Sequence, residues 1–452
     1  MRRLLAAACL ACAFGPLHGQ IPAEEYREAV KALSEASRDG DADAFARAFE
    51  TALKMDDARA VRTAVAAYGK IAAKLSARSS LREFVWFHGQ CAGAFRAVRS
   101  AESAAEFRSL AARAKDWRVR LLLLDASAFA KPVSLLDSSL AALKDESPIV
   151  VRRAVHYLRK SRKVSTVQAL IDRYVELSKK APPGDRGQWE RTLLAFQSAL
   201  HELLKVNLPR AADYKTYFES RKGDPRLFDP PPASELTGLS LFGAPVTGKN
   251  IIFVLDTSGS MLSTDPLPPG AEGGAGRGRT GVAGDPSAAE EEERRLRERE
   301  RMHRAKKELS RVVRSLPSDV NFNIVNFDST VRSWKPSMVP ATDANKKGAV
   351  EYVEGMKAEG ITVTDEALEA AFADLEVDTI YLLTDGAPTH VGTGGPGMPP
   401  DSADLIREIH ERVQDLNFLR GVRVFTLGFI GAEEEFLKKL AADNAGVYVP
   451  IR

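Results

Sequence analysis

Cysteine is nearly absent: there are three in 452 residues, and Cys9 and Cys12 both sit in the first apolar stretch. Without that stretch Cys91 stands alone, which excludes an internal disulfide and a cysteine metal site and leaves stability to packing. An excess of charge is missing too. The 64 basic and 61 acidic side chains leave a formal net charge of +3, no field that would collect nucleic acid or anionic lipid. Long hydrophobic runs are confined to the start, where Leu4 to Phe14 is shorter than the roughly 20 residues of a bilayer span. No later stretch is long and apolar enough, so no integral membrane span is expected after signal removal. The seven histidines, His18 within the leader among them, suggest no pairing with a serine in a strained elbow, so nothing points to an enzyme.

What is present begins with Met1-Arg2-Arg3, the apolar run, Gly15-Pro16 and small residues to Gly19. That layout predicts a secretory signal over 1–19 and a periplasmic, cell-surface or secreted protein. The length, with 44% hydrophobic residues, predicts two folded units. From 23 to 222 apolar residues recur three and four apart, which predicts an all-α domain. Asp116-Trp117-Arg118-Val119-Arg120 is echoed by Ser147-Pro148-Ile149-Val150-Val151-Arg152, which resembles HEAT-type units; an irregular helical bundle is the alternative. Gly223-Asp224-Pro225 and Pro230-Pro231-Pro232 then mark a proline-rich linker and lead-in over 223–247.

Beyond the linker, 248–452 alternates short apolar runs with amphipathic helices. Strands are predicted at 251–255, 322–327, 379–383, 422–429 and 447–449, and helices around 296–315, 343–357, 365–374, 402–416 and 433–443. This pattern predicts a doubly wound α/β domain with a mostly parallel, six-stranded sheet. Residues 263–289, full of Gly, Pro and small side chains, are predicted to be disordered. The charged run 290–307, with Glu290–Arg294 and Glu293–Arg297 spaced four apart, is predicted to be a solvated helical extension.

After the strand Ile251–Leu255 comes Asp256-Thr257-Ser258-Gly259-Ser260, which puts a carboxylate and two hydroxyls at the carboxyl end of a parallel strand, where ligands bind in open α/β sheets. Oxygen donors suit a hard cation, Mg²⁺ above all. Two more segments join in. Gly360-Ile361-Thr362-Val363-Thr364 precedes Ala367-Leu368, and Tyr381-Leu382-Leu383-Thr384-Asp385-Gly386 ends a later strand. Together they resemble the metal-ion-dependent adhesion site of von Willebrand factor type A domains, from about Asn250 to the end. The resemblance implies a site for Mg²⁺ (or Mn²⁺ or Ca²⁺) made by Asp256, Ser258, Ser260, Thr362 and Asp385. Ser258 and Ser260 would be direct ligands, Thr362 would join directly or through water according to state, Asp256 and Asp385 would act largely through water, and a partner's Asp or Glu carboxylate would complete the shell. The departure from the family is the long insertion directly after Met261.

Thr364 and Asp365 read as caps of the next helix, and His390 as a solvated loop histidine. Gly243-Ala244-Pro245-Val246-Thr247-Gly248-Lys249-Asn250 nearly matches a phosphate loop, but Asn250 replaces the metal-binding hydroxyl and a strand follows where a helix is needed. The glycines between Gly270 and Gly284 follow no strand and form no dinucleotide fingerprint. The leading function is a metal-dependent protein-binding module. A scaffold with a non-functional site is the alternative, and an aspartyl-phosphate enzyme acting through Asp256 is the reading from another class.

Overall fold

A computed structural model describes residues 22–78, 81–180, 185–231, 238–266, 286–389 and 402–452. The predicted signal 1–19, the insertion between 267 and 285, and His390 lie outside the described residues. The chain divides into two compact units, one reaching to Ser79 together with Trp86–Ser134, the other comprising Ser80–Val85 and Leu135–Arg452.

The first unit is helical among its described residues, as predicted. Helices Ala42–Lys54, Ala58–Leu75, Ala101–Arg113 and Trp117–Ala126 each start behind a polar cap. Asp41, Asp57, Ser100 and Asp116 accept backbone N–H groups that the first helical turn leaves unpaired. The apolar stripes meet in an aromatic core in which Tyr68 stacks on Phe87 with ring centroids 5.2 Å apart and Phe95 meets Phe107 edge-on at 5.3 Å. A polar relay crosses this core. The Tyr68 hydroxyl lies 2.7 Å from His88 Nδ1, and His88 Nε2 lies 2.9 Å from Asp125 Oδ2. All three residues are buried, so the relay supplies the hydrogen bonds that buried polar groups need.

The second unit opens with helices, Pro148–Leu158 and Arg186–Leu204 among them, and continues into a sheet. A two-stranded hairpin of β1 (Ser240–Leu241) and β2 (Ala244–Pro245) leads in. The main sheet comprises β3 (Asn250–Asp256), β4 (Asn321–Phe327), β5 (Val331–Ser333), β6 (Val339–Pro340), β7 (Thr379–Thr384), β8 (Arg423–Gly428) and β9 (Tyr448–Pro450). Its order is β5-β4-β3-β7-β8-β9, with β6 also on β4. The sheet therefore has seven strands where six were predicted. Five form the parallel centre, while β5 and β6 fold back antiparallel on β4. These two are too short for a two-residue period to register in the sequence.

The side-chain alternation of a strand sends neighbours to opposite faces. Ile251, Phe253 and Leu255 pack on the face covered by helices Arg301–Ser315 and Asp343–Gly355. Ile252 and Val254 pack on the face covered by Thr364–Ala373, Ser402–Asn417 and Glu434–Asp443. Both faces being buried, the strands read as continuous apolar runs.

Three arginines fasten the preceding helices to the amino-terminal edge of this sheet. Arg423, the first residue of β8, donates to Ser198 Oγ at 3.1 Å, Thr247 O at 2.8 Å and Thr379 Oγ1 at 2.7 Å. Arg152 donates to Leu419 O at 2.9 Å and Arg159 to Gly446 O at 2.6 Å. The composition change at 223–247 thus marks the passage from helices to strands, while the compact units divide near Ser134. Buried guanidinium groups need acceptors, and these helices and the sheet supply them to one another. The carboxyl-terminal edge lies at the other end of the strands, and the candidate site is there.

Candidate metal centre

At the end of β3 the chain turns through Thr257 and Ser258 into the short 3-10 turn Gly259–Leu262. Asp256 organises this turn from below. Its Oδ1 accepts the Ser258 N–H at 2.8 Å, and its Oδ2 accepts the Thr384 hydroxyl at 2.6 Å from the end of β7. Parallel pairing puts Leu255 beside Leu383, which brings the two loops side by side.

Above them the hydroxyls converge. Ser258 Oγ and Ser260 Oγ are 3.0 Å apart, and the Ser260 hydroxyl donates to Asp385 Oδ1 at 2.6 Å. Thr362 joins from a third loop: a Cβ built on Gly386 would lie 3.3 Å from Thr362 Oγ1 and 3.8 Å from Ser260 Oγ. That loop is tied in by backbone, since Gly259 N–H donates to Gly360 O at 3.1 Å and Glu359 N–H to Thr257 O at 2.8 Å. Gly360 has φ +73°, and a Cβ there would collide with Ser329 Oγ, so this turn needs glycine.

The five residues singled out in the sequence therefore stand together. The donor set fits a hard cation, because every donor is oxygen. An octahedral ion with oxygens at about 2.1 Å separates neighbouring ligands by about 3.0 Å, the spacing of the two serine hydroxyls. Among the described residues no three His, Cys, Asp or Glu side chains gather as a metal cluster; this set is rich in hydroxyls instead.

Electrostatically the site is divided. Burial raises the Asp256 carboxyl from 3.8 to about 6, against the pull of hydrogen bonds from Ser258 and Thr384. Asp385 is ion-paired: Arg301 Nη1 donates to its Oδ2 at 2.6 Å. Arg301 Nε also donates to Asp265 Oδ1 at 2.9 Å. Burial works against the Arg301 charge, but these two carboxylates outweigh it and raise its pKa above the ordinary value.

Sequence reasoning missed several participants. Thr384 holds Asp256, and Thr389 Oγ1 accepts the Thr362 N–H at 2.8 Å. Both adjoin residues already singled out, but a lone threonine carries no motif. Two expectations need correction. Residues 263–266 and 286–289 do not share the predicted disorder: Thr264 bridges to Glu300, Asp265 is buried, and a helix runs over Pro286–Arg299. The reason is Asp265, whose carboxylate is held by Arg301 and Arg304 and whose carbonyl accepts from Arg299. Likewise 290–307 is not one solvated extension, since a second helix begins at Arg301 and buries Met302 and Ala305. The helix after the Thr362 loop does start at Thr364, but Val363 occupies its N-cap with no side-chain cap bond. The near phosphate loop is closed to anions, because Asp378 Oδ2 already accepts the Lys249 and Asn250 N–H groups, each at 2.9 Å.

A doubly wound parallel sheet with this oxygen cluster on its carboxyl edge defines a Rossmann-like α/β class. Within it, residues 297–449 match the von Willebrand factor type A domain family, a stretch that begins after the Asp256–Ser260 loop. Human von Willebrand factor A domain-containing protein 3A is 32% identical over 131 residues, 28% of this chain and 10% of that protein. Mouse inter alpha-trypsin inhibitor, heavy chain 4, is 26% identical over 216 residues, 45% of this chain and 18% of that protein. The chain thus spans less than a fifth of these relatives' length. Among solved structures, a von Willebrand factor type A protein from Catenulispora acidiphila is similar at 19% identity and a TM-score of 0.31, covering 46% of this chain and 39% of that one.

Proposed function

We propose that this chain is a non-enzymatic, metal-dependent binding module of an exported protein. Asp256, Ser258, Ser260, Thr362 and Asp385 hold a divalent cation, Mg²⁺ or a similar hard ion, and an Asp or Glu side chain of a protein partner completes its shell. The observation that carries this reading is the convergence of three hydroxyls and two carboxylates from three separate loops at the carboxyl edge of the sheet. When bound, the ion supplies a positive centre for an anionic ligand group.

The protein's own residues do the rest. Asp256 and Thr384 fix the serine loop, Gly360 and Thr389 fix the Thr362 loop, and exposed Leu262 beside Ser260 offers an apolar contact to a protein surface. Export rests on the sequence of residues 1–19. Among the described residues no helix is long and apolar enough to cross a membrane. Calorimetry with Mg²⁺ or Mn²⁺, followed by capture of envelope proteins with and without chelator, tests the reading. Absence of metal binding by the folded protein sinks it.

A further inference from the structure

Arg301 opens the helix Arg301–Ser315, and its side chain is only 13% exposed. Its guanidinium bridges two carboxylates, with Nη1 on Asp385 and Nε on Asp265. Asp265 is itself clasped by Arg304 and Arg299, and the Thr264–Glu300 bridge ties the two chain segments together beside it. Arg301 is therefore a seated group, not a free surface cation. It addresses the carboxylate that belongs to the proposed metal set. Both oxygens of Asp385 are in use, one by Arg301 and the other by Ser260.

A guanidinium and a divalent ion that share one carboxylate repel each other and divide its negative charge between them. The Asp385 side chain has no exposure to solvent, so at this carboxylate that repulsion is poorly screened. We infer that Arg301 sets the cation affinity of this site: it neutralises Asp385 from within the protein, and the site takes up a divalent ion only as far as that ion pair loosens. The inference rests on the metal-binding reading above. Arg301 acts through Asp385 and is a positioning residue.

The sign of one measurement separates competition from simple buttressing. If Arg301 competes with the cation, its removal tightens metal binding; if it only holds Asp385 in place, its removal weakens it. The experiment is calorimetric titration of the full chain with MnCl₂, comparing wild type, Arg301→Gln, Arg301→Lys and Ser258→Ala, with a thermal melt of each. Arg301→Gln is expected to bind Mn²⁺ roughly tenfold more tightly or better. Arg301→Lys is expected to gain about threefold, because an ammonium keeps the charge but cannot bridge both carboxylates. Should the glutamine variant fail to fold, the lysine variant decides by the same sign. Unchanged or weaker affinity in the Arg301 variants, with binding still weakened by Ser258→Ala, overturns the inference alone. Absence of Mn²⁺ binding in wild type and in the folded Arg301 variants overturns the metal-binding reading together with it.

Discussion

The Thr384 hydroxyl donates to Asp256 Oδ2 at 2.6 Å, joining the last residue of β7 to the last residue of β3 inside the sheet edge. Neither group is exposed to solvent, so nothing replaces the bond when it is lost. Thr384→Val keeps the shape and removes the donor. It is expected to lower stability by about 1–3 kcal/mol, the cost of stranding a buried acceptor, and to weaken Mn²⁺ binding by loosening the serine loop. Chemical denaturation and calorimetry on the same sample check both, and an unchanged affinity would detach Asp256 from the metal site.

Ser258→Ala and Ser260→Ala delete one proposed ligand each while leaving the Asp256 bond to Thr384 in place. Each is expected to lower Mn²⁺ affinity by about 10–100-fold, the scale on which metal sites respond to lost or misplaced groups. The thermal midpoint without metal should change little for Ser258→Ala and fall modestly for Ser260→Ala, which also takes a donor from the buried Asp385 carboxylate. A large fall in that midpoint with intact metal affinity would favour the scaffold reading.

The raised Asp256 carboxyl gives a pH signature. The folded state holds this proton more tightly than the unfolded chain, so the metal-free protein loses stability as pH rises from 3.8 to about 6, the ordinary and folded values. Cation binding requires the carboxylate, so Mn²⁺ affinity runs the opposite way and falls as pH drops through about 6. Titrations on either side of that value measure it. A flat profile would mean that Asp256 keeps its charge state when the cation binds.

Gly360→Ala places a Cβ at φ +73° and against Ser329 Oγ. The strained backbone costs about 1–2 kcal/mol, and the loop must shift, taking Thr362 with it. Lower stability and weaker Mn²⁺ binding are expected together. Adding Ser329→Ala removes the closest obstacle and should restore part of the affinity, which a calorimetric comparison of the single and double variants reads directly.

Arg423→Leu tests the opposite edge. It deprives Ser198 Oγ, Thr247 O and Thr379 Oγ1 of their donor and is expected to cost roughly 2–4 kcal/mol. The site lies at the other end of the strands, so Mn²⁺ affinity should stay within about twofold of wild type. A joint loss of both would show that the two edges are coupled.

Much of this was legible residue by residue. Continuous apolar runs bounded by turn residues placed β3, β4, β7, β8 and β9 to within a residue or two. Asp256-Thr257-Ser258-Gly259-Ser260 named its loop, and the spacing to Ala367-Leu368 selected Thr362 over Thr364. The charged segment before Arg301 misled, because alternating Glu and Arg read as a water-facing helix. One arginine of that series turns inward, and nothing in its local composition marks it.

Local pattern along the chain was enough for the helical first part, the alternation of strands and helices after it, and the chemical identity of the oxygen donors. Periodicity and short loop motifs act between near neighbours in the chain, so they survive in a one-dimensional reading. Tertiary structure alone decided that Arg301 meets Asp385 across 84 positions, that Asp265 anchors the start of the insertion, and that Arg152, Arg159 and Arg423 fasten helices to the sheet. Those pairings arise when elements pack and desolvate charged groups, and a charge is drawn to whichever opposite partner the fold brings within reach.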